Sequence, residues 1–149
     1  MYKAMDIADF VIKYANETEN PISNLKLQKI LYFIQADFLV NQGHECFVED
    51  IEAWDFGPVV PSVYHAYKHY GGSYIPSSNA SLFTNYNTYA SSINENDKKR
   101  IINMIKACTG HSAAKLVEIT HSQAPWKNVY KPYMNNVISK EMIADYFRE

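Results

Sequence analysis

The stretch Ile22-Ser23-Asn24-Leu25-Lys26-Leu27-Gln28-Lys29-Ile30-Leu31-Tyr32-Phe33-Ile34-Gln35-Ala36-Asp37-Phe38-Leu39-Val40 limits the possible folds more than any other part of the chain. Leu27, Leu31, Ile34 and Phe38 recur at helical spacing, and Ile30 widens the stripe. Tyr32, Phe33, Leu39 and Val40 carry apolar surface onto the other faces. A helix that is apolar on most sides is wrapped by the rest of its domain. Its start is well marked. Ser23 can accept from an early backbone N–H as N-cap, Ile22 can staple onto Leu27, and Pro21 keeps Asn20 out of helical space. Asn41-Gln42-Gly43 ends it, with Gly43 free to take positive φ.

A chain of 149 residues is the size of one domain and buries about 70% of its unfolded surface. The net charge of −2 and pI of about 6.2 argue against bulk attraction to nucleic acid or anionic lipid. Two cysteines, Cys46 and Cys108, are too few for a disulfide framework and point to a reducing, cytoplasmic setting. No apolar run reaches the roughly 18 residues of a membrane span. Asp6 and Asp9 interrupt the N-terminus where a signal peptide would be apolar. Twelve tyrosines suit half-buried and partner-facing surfaces, because each ring joins an apolar body to a polar tip.

In chain order, Ala4 to about Ala15 predicts a first helix, with Met5, Ala8, Phe10-Val11-Ile12 and Tyr14 as its apolar side. Phe47-Val48 and Ile51 to Trp54 read as short extended pieces, and Gly57-Pro58 as a turn. Pro61 fits the first turn of a helix that Gly71-Gly72 stops. Tyr74-Ile75 and Leu82-Phe83 are candidate strands in a Ser, Asn and Thr-rich excursion. Asn94 to Asp97 opens a helix buried through Ile101, Ile102, Ile105 and Cys108. Ser112 caps a further helix to Thr120, Pro125 breaks the chain before Trp126, and Ser139 caps a terminal helix docked by Met142, Ile143, Tyr146 and Phe147. The expectation is a mainly α, compact, single-domain fold over residues 1–149, built around a central buried helix with a small β element.

The residues offer little for catalysis. His65 and His69 sit four apart on a helix but lack the adjacent glutamate of a zinc protease and an evident third ligand. His44 and Cys46 have no second pair, so no metal or other cofactor is expected. Cys46 or Cys108 with His121 could form a nucleophile and base, yet both cysteines fall in apolar contexts that favour inert packing. There is no Gly-rich phosphate loop and no Gly-x-Ser-x-Gly elbow. Lys98-Lys99-Arg100 is most simply a solvated helix face. Thr120-His121 with Pro125-Trp126 can tie off a helix end, with Trp126 folding back over the core.

Three stretches together resemble the Panacea, or SocA-like, antitoxin domain, also met as phage-associated GepA-like proteins. They are Leu25-x-Leu27-Gln28-Lys29-Ile30-Leu31-Tyr32, then Glu52-Ala53-Trp54-x-Phe56-Gly57-Pro58-Val59-Val60-Pro61-x-Val63-Tyr64, then Thr120-His121-x-x-x-Pro125-Trp126. The resemblance implies a helical domain with a small β piece that neutralises a co-encoded toxin in bacteria, prophages or plasmids. It implies no enzyme and carries over no catalytic residue. The expected mechanism is steric, with the cognate toxin as partner. The alternatives are an adaptor that hands the toxin to a protease and, from other classes, a DNA-binding repressor or a hydrolase. Candidate toxin contacts beside the motifs are Lys26, Lys29, Tyr64, Tyr67 and His121. Leu27, Gln28, Leu31, Tyr32, Trp54, Gly57, Pro58, Thr120, Pro125 and Trp126 are expected to be structural, with Trp54, Pro58 and Tyr64 packed together against the central helix.

Overall fold

In the computed structural model, which describes residues 1–77 and 92–149, the expected central helix is α2 (Asn24–Asn41). Ser23 caps it, its side chain accepting from Lys26 N, and Gly43 takes φ 76° beyond its end. Leu27, Ile30, Leu31, Ile34 and Phe38 are fully buried. Around α2 pack α1 (Ala4–Glu17), α3 (Pro61–Tyr67), α4 (Glu95–Thr109), α5 (Ala113–His121) and the terminal α7 (Lys140–Arg148). The short α6 (Ala124–Lys127) joins α5 to the remainder of the chain. The fold is mainly α, with a small three-stranded antiparallel sheet on one side.

Each flanking helix has a readable start or anchor. Ala4 N finds its acceptor in Glu49 Oε1 at 2.9 Å, so a distant acid caps α1 where Lys3 cannot. Ile7, Ala8, Val11, Ile12 and Ala15 form the buried stripe of α1, while Met5, Phe10 and Tyr14 sit at its edge. Asn94 caps α4 through Asp97 N at 2.8 Å, and Ser112 and Ser139 cap α5 and α7 in the same way. Ile101, Ile105 and Cys108 of α4 are buried, and Ile102 is half-buried. Ile143 and Ala144 of α7 are buried, and Phe147 meets Tyr32 edge-on at 5.8 Å. Asn94→Ala removes its cap and is expected to lower stability by about 1 kcal/mol, read as a shifted urea midpoint with unchanged slope.

The sheet runs β2-β1-β3, with β1 (Ile51–Trp54) in the centre and β2 (Gly57–Val59) and β3 (Val137–Ile138) at its edges. Ile51 pairs with Ile138, and Trp54 with Gly57. Two expectations shift here. The hairpin turns at Asp55-Phe56, so Gly57-Pro58 opens a strand instead of forming the turn; an edge position tolerates the missing N–H of Pro58. The break expected before Trp126 falls at Ser122-Gln123, where α5 has ended; Pro125 then sits in the first turn of α6, where its lost donor would have gone unpaired, and Trp126 lies inside that helix. Tyr74 makes an isolated bridge to Ser23, with Ile75 buried beneath it, whereas Leu82-Phe83 lies outside the described residues.

A buried glutamine holds the non-strand segment before β1. Gln35 Oε1 accepts from Cys46 N at 2.8 Å and Phe47 N at 3.2 Å, and its Nε2 donates to Phe47 O at 2.9 Å. Backbone groups with no ladder of their own are thereby satisfied inside the core. Cys46 O and Val48 N in turn hold Tyr2 in a parallel bridge.

Candidate partner-binding site

The three sequence stretches meet on one side of α2. Gln28 and Lys29, neighbours on that helix, grip both flanks of Val59. Gln28 Oε1 accepts from Val60 N at 2.9 Å, and Lys29 Nζ donates to Pro58 O at 3.0 Å. Gln28 Nε2 donates to Asn24 Oδ1, and Asn24 Nδ2 to Tyr64 O at 3.1 Å, which ties the middle of α3 to the same helix. Gly57 lets this happen. Its φ is +112°, and a Cβ there would stand 2.6 Å from Lys29 Cε and 3.0 Å from Thr120 Oγ1. Thr120 is buried and turns its hydroxyl back to Leu116 O and Val117 O.

The third stretch backs the hairpin. Trp126 stacks between His121 and Tyr130, with ring centroids 3.9 and 4.5 Å away. Its Nε1 donates to Trp54 O at 2.8 Å, and the Tyr130 hydroxyl donates to Asp55 Oδ1. Tyr32 OH ties α2 to the α5–α6 junction through Gln123 Oε1 at 2.8 Å. Trp126 is thus half-buried and pinned to the end of β1, as a tryptophan folded back over the core should be.

In front of this frame lies a groove of about 370 Å³. Trp54 and Val59 of the sheet, Leu25 and Gln28 of α2 and Tyr64 of α3 line it. Tyr64 meets Trp54 edge-on at 4.9 Å, so these two pack together, whereas Pro58, paired across from Ala53, is buried on the opposite face of the sheet and, against expectation, does not join them. Phe56 and Tyr133 stand at the groove 66% and 97% exposed, which is unusual for large rings without a partner. Tyr133 and Asn135 both hold positive φ, at 65° and 47°, so this loop presents its ring at a backbone cost.

The five contact candidates separate. Tyr64 lines the groove. His121 lies behind it under Trp126, its Nε2 buried without a hydrogen-bond partner, and burial holds its pKa below the ordinary histidine value. Lys29 is not a surface residue: it is fully buried, and a partner reaches it only through the hairpin it holds. Lys26 is half-exposed and reaches Thr109 O at 3.5 Å, towards the end of α4. Tyr67 donates to Asp9 on α1 at 2.7 Å, away from the groove. Sequence reasoning missed Asp55, Phe56 and Tyr133 as groove residues. Phe56 stood within a quoted motif, but Tyr133 comes from a stretch with no periodicity to read.

Little here supports catalysis. Burial pushes the Cys108 thiol up to about 11 and the Cys46 thiol further up, so neither forms a thiolate near neutral pH. His65 packs on Trp54 and Tyr64, and His69 on Tyr70. Among the described residues no three His, Cys, Asp or Glu side chains gather as metal ligands.

The motifs that build this frame fall within residues 27–127, apart from Leu25, and that segment matches the family model described as antitoxin SocA-like, Panacea domain. The chain belongs to this family. It is also 32% identical to antitoxin SocA of Caulobacter vibrioides strain NA1000 / CB15N, over 97% of this chain and 82% of that protein's length. No solved structure matches. Among the described residues no helix is long and apolar enough to cross a membrane. The family segment contains β1, β2, α3 and most of α2, so the front of the groove is largely family sequence, whereas Tyr133 and Asn135 lie beyond it.

Proposed function

We propose that this chain acts as one folded unit, an antitoxin that neutralises a co-encoded toxin by binding it directly, without altering it chemically. The observation that carries the reading is the groove at the meeting point of the family stretches, with Phe56 and Tyr133 held exposed beside it. Preformed aromatic anchors around a cavity are what a tight interface needs, because a few buried anchors supply most of its affinity. The 32% identity to an antitoxin over nearly the whole chain supplies the partner class. The two buried, raised thiols weigh against the cysteine-nucleophile form of the hydrolase reading. The acidic pI of about 6.2 weighs against a DNA-binding repressor.

The test is co-expression with the product of the neighbouring reading frame in a host lacking the protease an adaptor would serve. Growth should recover there, and the two proteins should co-purify in a stoichiometric complex. Recovery only when the protease is present would replace direct neutralisation with the adaptor mechanism. A toxic neighbour that this chain neither binds nor silences would remove the antitoxin reading altogether.

A further inference from the structure

We propose that the groove receives an arginine side chain of the toxin, its guanidinium lying on the aromatic faces and pairing with Asp55. The lining is aromatic and acidic at once. Trp54, Phe56, Tyr64 and Tyr133 contribute four rings, and among the described residues Asp55 is the one charged residue on the wall. No lysine, arginine or histidine among the described residues lines it. Ring faces are electron-rich and attract a cation, most strongly at tryptophan. Asp55 is exposed, and its Oδ1 accepts from the Tyr130 hydroxyl. A guanidinium is planar, weakly hydrated and able to stack and pair together, which an ammonium does less well. The charge of the wall therefore selects a cationic group, and its flat rings select arginine over lysine.

The surroundings fit a protein as the source of that arginine. The groove opens between Phe56 at 66% and Tyr133 at 97% exposure, and Met134, next to Tyr133 in the chain, is also exposed. Val137, 49% exposed, pairs with Glu52 on the neighbouring strand, whose carboxylate accepts from the Trp54 indole N–H. A small cation leaves these groups in water, whereas a protein surface carrying the arginine covers them. The identity of the partner rests on the antitoxin reading above; the chemistry of the groove does not.

Two arms keep the two readings apart. In the first, N-acetyl-arginine methylamide is titrated into the labelled protein and followed by proton–nitrogen spectra, with Trp126→Phe assigning the two indole signals. The expected result is a saturable shift at the Trp54 indole and the Phe56 amide. It should weaken at least fivefold in Asp55→Asn and be absent with the norleucine and glutamate counterparts. Equal shifts from norleucine, or none from arginine, would overturn the proposal, as would dimerisation through the groove seen by sedimentation at the same protein concentration. In the second arm, Asp55→Lys should raise the toxin dissociation constant at least tenfold with an unchanged melting temperature. Unchanged toxin affinity in that variant would show that the groove is not the contact, while leaving the antitoxin reading intact. A wild-type chain that fails to protect cells removes the antitoxin reading, and the first arm still decides whether the groove takes arginine.

Discussion

Gly57→Val is expected to lower stability by about 3–5 kcal/mol, and Gly57→Ala by somewhat less, measured as urea midpoints. Two costs combine. The first is conformational: φ of +112° lies where a side chain is strained, and a β-branched one most of all. The second is steric: the new Cβ would stand 2.6 Å from Lys29 Cε and 3.0 Å from Thr120 Oγ1. A lysine end is normally soft, but this one is fully buried, and its amine is bound to Pro58 O, so it has nowhere to swing. The two costs are separable by a double-mutant cycle. Lys29→Ala makes room, so Gly57→Ala should cost less in that background, with a coupling of about 1 kcal/mol or more. Additive effects would mean that the backbone strain alone accounts for Gly57.

The helices were legible because their signals are local. Ser23, Asn94, Ser112 and Ser139 each cap the helix their position suggests, and the apolar spacing of α2 names its buried residues. The hairpin was legible as existing but not in register. A Gly-Pro pair looks like a turn from its own chemistry, and only the fold shows why glycine stands at the first residue of a strand: its positive φ and the close approach of the distant Lys29 and Thr120. Lys29 itself was misplaced for the same reason. A lysine is exposed by default, and nothing within α2 announces that a carbonyl from β2 will receive it. The strand β3, Val137–Ile138, is too short to alternate. Part of the groove was visible, since Trp54, Phe56 and Tyr64 stand in one motif, but the loop bearing Tyr133 meets them only through the pairing of β3 with β1.

Lys29→Met is expected to make the protein more stable near neutral pH, with the gain fading as the solution becomes alkaline. Burial without a carboxylate partner brings the Lys29 amine from 10.5 down to about 7, because the core disfavours its charged form. Above pH 10.5 the amine is neutral in both folded and unfolded chains and costs nothing. Between 10.5 and 7 the unfolded chain takes up a proton that the folded chain refuses, so stability falls as the pH is lowered. Below 7 both forms carry the proton and the loss is complete. The full amplitude is on the order of 5 kcal/mol, of which about 4 is already lost at pH 7. Methionine keeps the apolar stem and has no proton to lose, but leaves Pro58 O without its donor, a cost of about 1–3 kcal/mol. The variant should therefore exceed wild type by roughly 1–3 kcal/mol at pH 7 and lose that advantage by pH 10. His121 is lowered by burial and, to a lesser extent, by the Lys29 charge that the variant removes, but it acts below 6.5, under the pH range compared. The raised tyrosines Tyr2, Tyr32 and Tyr130 and the raised thiols of Cys46 and Cys108 are present in both proteins and cancel in the difference. Urea titrations at pH 7 and pH 10 read the result, and parallel stabilities for the two proteins would show that the folded chain holds Lys29 charged throughout. Amide exchange at Asp55 and Phe56 reports what the lysine contributes in return. Faster exchange there in a more stable variant would tie the cost of burying Lys29 to holding the hairpin in place at the groove.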